Sequence, residues 1–105
     1  MPNTFGTDIL IQAENPSAAA AWYVENLGFE ITGGETAVIS LHGPRINLFI
    51  ERGPSLGPVL EVFVSDVAEA RKNLVANGCW VLKDEPEVPR LYVQDPFGLI
   101  YNLSQ

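Results

Sequence analysis

Apolar and polar positions alternate in short bursts along this chain, and two stretches break that rhythm with a helical period. Ile9 and Ile11 alternate with Asp8, Leu10 and Gln12, the period-two pattern of a strand with one buried face. Asn15-Pro16 reads as an N-cap followed by proline at the first helical position. Ala20, Tyr23, Val24 and Leu27 then recur at the spacing of one helical face, and Gly28 supplies a left-handed stop. Three strands are expected next, at 29–32, 36–41 and 45–50, punctuated by Gly33-Gly34 and His42-Gly43-Pro44.

The second half repeats that order. A strand at 59–64 precedes Asp66 and Glu69, the spacing of a capping box. Val67, Ala70 and Leu74 share a helical face, Gly78 ends the helix, and strands follow at 80–82, 90–94 and 99–103. Strand, helix and three strands, twice over, is an internal repeat. Residues 52–58 hold two prolines and two glycines and read as a linker between module one (1–51) and module two (59–105). Half of this chain buries too little to fold alone, so both modules belong to a single domain spanning 1–105.

Composition narrows the partners. Thirteen acidic residues against six basic ones give a net charge of −7. That balance argues against nucleic acid and against an anionic membrane surface. No apolar run is long enough to span a bilayer, and no leader pattern precedes the first strand, so a cytoplasmic location is expected. One cysteine and one histidine leave no Cys/His zinc site within the chain. Cys79 reads as a buried hydrophobe, and His42, beside a turn, as a surface residue.

Trp22-Tyr23-Val24-Glu25-Asn26-Leu27-Gly28-Phe29 resembles the first helix end of the vicinal oxygen chelate superfamily, which includes glyoxalase I, extradiol dioxygenases and bleomycin-resistance proteins. Asn47-Leu48-Phe49-Ile50 is similar to that family's fourth strand, and the stretch from Val64 to Ala70 to its second helix entry. Asp95-Pro96-Phe97-Gly98 with the strand behind it is similar to its terminal hairpin. The resemblance implies an α+β fold of two βαβββ modules whose curved mixed sheets enclose a cleft, and a homodimer. It also implies metal ligands on the first, fourth, fifth and eighth strands, where counting from the motifs places Asp8, Asn47, Val59 and Asn102. Val59 has no donor and neutral amides are weak ligands for a catalytic transition metal, so no metal and no cofactor are expected. A shifted hard-cation site on Asp8, Glu51 and Glu61 is the exception to weigh.

Strand parity suggests what the inner face offers instead. Asp8, Leu10 and Gln12 oppose Ile9 and Ile11, while Asn47, Phe49 and Glu51 oppose Leu48 and Ile50. Val59, Glu61 and Phe63 share a face, as do Ile100, Asn102 and Ser104. The candidate ligand-binding residues are therefore Asp8, Asn47, Phe49, Glu51, Glu61, Phe63, Trp80, Arg90, Tyr92 and Asn102, with no catalytic residue assigned. Aromatic rings beside carboxylates favour a cation. The function expected is metal-independent sequestration of a small cationic or amphipathic, partly aromatic molecule, similar to bleomycin-resistance proteins and hence to antibiotic resistance. The alternative is a divalent-metal-dependent lyase, isomerase or dioxygenase with an atypical site.

Overall fold

The structure is a computed structural model, and it describes residues 4–34, 37–88 and 90–105. In chain order the elements are β1 (Thr4–Ala13), α1 (Pro16–Leu27), β2 (Glu30–Gly34), β3 (Val38–His42), β4 (Asn47–Arg52), β5 (Val59–Phe63), α2 (Val67–Ala76), β6 (Trp80–Glu85), β7 (Arg90–Gln94) and β8 (Ile100–Ser104). They form two units. The first is Thr7–Pro58; the second is Val59–Gln105 together with the described residues that precede Thr7. Each is βαβββ, as the repeat implied, and the expected α+β class holds.

In the first unit the strands lie in the order β2-β3-β4-β1, with β1 and β4 parallel and the other pairs antiparallel. Ile11 pairs with Ile50, which pairs with Ile39, while Leu48 lies between Ile9 and Leu41. These side chains share the face that meets Ala20 of α1. Burial of Ile39, Leu41, Leu48 and Ile50 is the main source of this unit's stability, at ~1.5–3 kcal/mol for each fully buried side chain. Asn15 caps α1 by accepting from the Ala18 amide at 3.1 Å, and Gly28 closes it in the left-handed region at φ 77°.

The packed face of α1 is turned from the one its periodicity predicts. Pro16, Ala19, Ala20 and Tyr23 face the sheet, whereas Val24 is exposed and Leu27 is 60% exposed. Phe29 is the reason. It stands between Gly28 and β2 and packs edge-on against Tyr23 at 6.1 Å, against the first unit's core. Strand boundaries also move. Gly33 and Gly34 lie within β2, past a register shift at Ile31/Gly33, and do not interrupt it. β4 starts at Asn47 and runs through Arg52. The expected β3 start at Thr36 lies outside the described residues.

The second unit repeats the topology in the order β5-β8-β7-β6, with β5 and β8 parallel. Its core joins Val62, Val64, Leu91, Val93 and Leu103 to Val67, Ala70 and Leu74 of α2. Asp66 accepts from the Glu69 amide at 3.1 Å, the first half of the expected capping box. The 95–98 turn closes with the Gly98 amide donating to the Asp95 carbonyl at 3.1 Å. β6 extends to Glu85, three residues beyond the apolar stretch, because pairing with β7 carries the polar residues along.

Candidate functional site

The face of the first unit that points away from α1 is polar and aromatic. Parallel register sets Asp8 beside Asn47, Leu10 beside Phe49 and Gln12 beside Glu51. β3 continues the rows with His42 beside Asn47, Ser40 beside Phe49 and Val38 beside Glu51. These positions bring two carboxylates and no lysine or arginine. A hollow of about 270 Å³ lies here, lined by Gly34, Ala37, Val38, Ser40 and Phe49. Gln12 accepts from the Leu56 amide at 2.8 Å through Oε1. Its Nε2 is buried with no hydrogen-bond partner among the described residues, which leaves a donor on this face.

One chain of hydrogen bonds orders the end of that face. Asn47 Nδ2 donates to Asp8 Oδ1 at 3.0 Å, and Asn47 Oδ1 lies 2.9 Å from His42 Nδ1. The carboxylate only accepts, so it holds the amide nitrogen and turns the amide oxygen toward the imidazole. His42 Nδ1 must then carry the proton, and Nε2 of the neutral ring becomes an acceptor. His42 is thus exposed as expected, yet it is oriented by two neighbours that a turn-surface reading does not supply. Long-range nitrogen–proton NMR is expected to find the Nδ1–H tautomer, with the preference lost in Asn47→Leu. A dominant Nε2–H tautomer in the wild-type protein would contradict this arrangement.

The second unit's corresponding face holds the remaining candidates. Register pairs Glu61, and not Val59, with Asn102; Val59 is buried beside Ile100. Glu61, a candidate by strand parity, is therefore the carboxylate that neighbours Asn102. Asn102 Oδ1 accepts from the Leu91 amide at 2.9 Å and so serves the backbone. Glu61 and Phe63 both lie over Gly6, where an added Cβ would run into the Glu61 carboxylate and come within 3.1 Å of the Phe63 ring. Tyr92 is 2% exposed, with Lys83 Nζ 5.6 Å and Arg90 Cζ 5.8 Å from its ring centre. The chain's own cations thus meet that ring, and both also approach Glu85, Arg90 at 3.6 Å and Lys83 at 4.0 Å. Trp80 is 53% exposed on the edge strand β6, in the row of Gln94, Ile100 and Val59, and lines a hollow with Lys72 and Val75 of α2.

The donors do not fit a catalytic transition metal. Val59 has none, and the oxygens of Asn47 and Asn102 already accept hydrogen bonds. Among the described residues no group of three or more His, Cys, Asp or Glu is gathered to hold a metal ion. No described helix is long and apolar enough to cross a membrane.

Cys79 is buried, as its position predicts, and its Sγ lies 3.7 Å from Tyr101 Oη. Burial pushes the Tyr101 phenol from 10.0 up to about 12, with Cys79 and then Asp95 adding to the rise. The folded state therefore holds this proton more tightly than the unfolded chain. Its contribution to stability is complete below about pH 10 and is lost as pH rises toward 12. Denaturant midpoints measured across that window are expected to fall, and Tyr101→Phe to fall less. Identical alkaline profiles for the two proteins would show that the phenol is not the group responsible.

No protein-family model and no curated protein sequence matches the chain. Solved structures do. The chain is similar to a glyoxalase/bleomycin resistance protein/dioxygenase superfamily member from Vibrio splendidus 12B01, with a TM-score of 0.67 and 15% identity over 95% of this chain and 97% of that one. It is similar to methylmalonyl-CoA epimerase from Mycobacterium tuberculosis, with a TM-score of 0.59 and 16% identity over 91% and 83% of the two chains. Homoprotocatechuate 2,3-dioxygenase from Brevibacterium fuscum shares the fold at a TM-score of 0.62 and 20% identity, over 97% of this chain and 36% of that one. At such identities the likeness establishes the fold, which is that of the glyoxalase/bleomycin-resistance/dioxygenase superfamily. The helix-end and terminal-hairpin motifs had pointed to it, whereas chemistry has to be argued from this chain's own side chains.

Proposed function

We propose that this protein binds a small organic cation with an aromatic part, holding it on the polar face of the first unit without making or breaking bonds. One observation carries the reading. Register gathers Asp8, Glu51, Phe49, Asn47 and Gln12 on one face, with no lysine or arginine in its rows and with Ile9, Ile11, Leu48 and Ile50 turned to α1. The cation lies near Asp8 and Glu51, the aromatic part lies against Phe49, and the amides of Gln12 and Asn47 supply hydrogen bonds. An aromatic plane beside carboxylates adds quadrupole attraction to Coulomb attraction. Glu61 and Phe63 repeat the same chemistry on the second unit. Tyr92 is buried in that unit's own packing, beside Lys83 and Arg90. A homodimer fits the large apolar side chains left exposed on α1, Trp22, Val24 and Leu27.

Calorimetry tests the reading with a naphthylmethylammonium salt and its neutral isostere naphthylmethanol. The ammonium is expected to bind about tenfold or more tightly than the alcohol, since one charge-assisted contact is worth ~1.5–3 kcal/mol. Equal affinities would overturn the proposal.

A further inference from the structure

A hollow of the second unit lies on the α2 side of its sheet, away from the polar face discussed so far. It measures about 660 Å³, within the range of small-molecule sites at roughly 300–1,000 Å³. Its floor is apolar, formed by Leu91 and Leu103 of the core, with Val67 of α2 and Pro86 of the β6–β7 turn beside them. Its polar wall is unusual for this chain. Six basic residues face thirteen acidic ones in the whole sequence, yet two arginines and one aspartate line this hollow. Arg71 Nη1 contacts Asp84 Oδ2 at 2.6 Å, and the two side chains are 42% and 40% exposed.

We propose that this hollow is a binding site for an amphipathic carboxylate, a molecule with one carboxylate on a compact apolar body. The apolar body lies on Leu91 and Leu103, and the carboxylate meets the Arg71 guanidinium, with Arg90 at the wall already paired with Glu85 at 3.6 Å. Arg71 has five N–H donors in a planar fork, and the contact with Asp84 uses one nitrogen. Asp84 is therefore a resident competitor for the guanidinium. An incoming carboxylate shares or displaces it, and the exposed pair resists with only ~0.2–1 kcal/mol. A cation would gain nothing from Asp84 that Arg71 does not already supply.

That arrangement makes the two partners' substitutions act in opposite directions. Octanoate is the probe, with octanamide as its neutral isostere, and NMR titration of the wild-type protein reads both affinity and location. Octanoate is expected to shift the amides of Ala68, Leu91 and Leu103 and to bind about tenfold more tightly than octanamide. Arg71→Gln is expected to lower octanoate affinity about tenfold, and Arg71→Lys to keep part of it. Asp84→Asn is expected to raise the affinity about threefold, a gain that loss of folding cannot imitate. Octanoate and octanamide binding alike, or Asp84→Asn weakening octanoate, would overturn the site. So would shifts confined to β1 and β4. Asp8→Asn leaves octanoate affinity unchanged, so failure here is distinguishable from failure of the cation site.

Discussion

Truncation of Ile50 to alanine is expected to cost the protein about 2–5 kcal/mol, the range for large-to-small changes in a close-packed core. Ile50 is 0% exposed and stands between Ile11 of β1 and Ile39 of β3, under Ala20 of α1. Three isoleucines in one row leave little freedom for neighbours to collapse into the space, because each is held by a strand backbone. Helix α1 approaches this row through small side chains, Ala19 and Ala20, which cannot extend to fill it either. Domains of this size are stable by ~5–15 kcal/mol, so the loss is a large share of the total. Urea denaturation is expected to show a lower midpoint with an unchanged slope. A loss under about 1 kcal/mol would mean that this row is not the first unit's core.

The second large effect concerns binding. Asp8→Asn is expected to weaken the naphthylmethylammonium salt about 10–100-fold and to leave the alcohol nearly unchanged. Asp8 is half-buried and accepts from the neutral Asn47 amide. Two unit charges at 4 Å interact by ~4 kcal/mol at an effective dielectric near 20, and desolvation removes part of that. The substitution keeps the shape and an oxygen for Asn47 to donate to, while the charge is removed and the second oxygen becomes an N–H donor. Competition calorimetry resolves the difference. An unchanged ammonium affinity would place the ligand away from β1.

Parts of this structure were legible because one buried face leaves a period in the residues. Ile9, Ile11, Leu48 and Ile50 declare their side of the sheet by alternation, and a one-residue slip would expose all of them. Gly28 declares a helix end because its left-handed φ suits glycine. Other features depend on which distant residues meet. The turn of α1 away from Val24 and Leu27 follows from Phe29 packing on Tyr23, which helical periodicity does not contain. Parallel strands β5 and β8 are joined through the whole second unit, so no short turn pins the register that sets Glu61 beside Asn102.

The candidate faces divide in the same way. Asp8, Asn47, Phe49 and Glu51 fall together because strand parity is local and β1–β4 register preserves it. His42 looked like a bare turn residue, and its orientation comes from Asn47 across the β3–β4 connection. Lys83 reaches the Tyr92 ring from the neighbouring β6, whose polar end carries no strand period of its own. Arg71 and Asp84 are thirteen residues apart on a helix and a strand, and nothing in their spacing announces a shared hollow.

The central claim is that an organic cation sits on the polar face of the first unit. Amide chemical-shift mapping of the wild-type protein, titrated with naphthylmethylammonium, tests it most directly. The account predicts saturable shifts centred on Asp8, Asn47, Phe49 and Glu51, with Leu91 and Leu103 unmoved. Shifts centred on α2 and its hollow, or no saturable shift along β1 and β4, would contradict it.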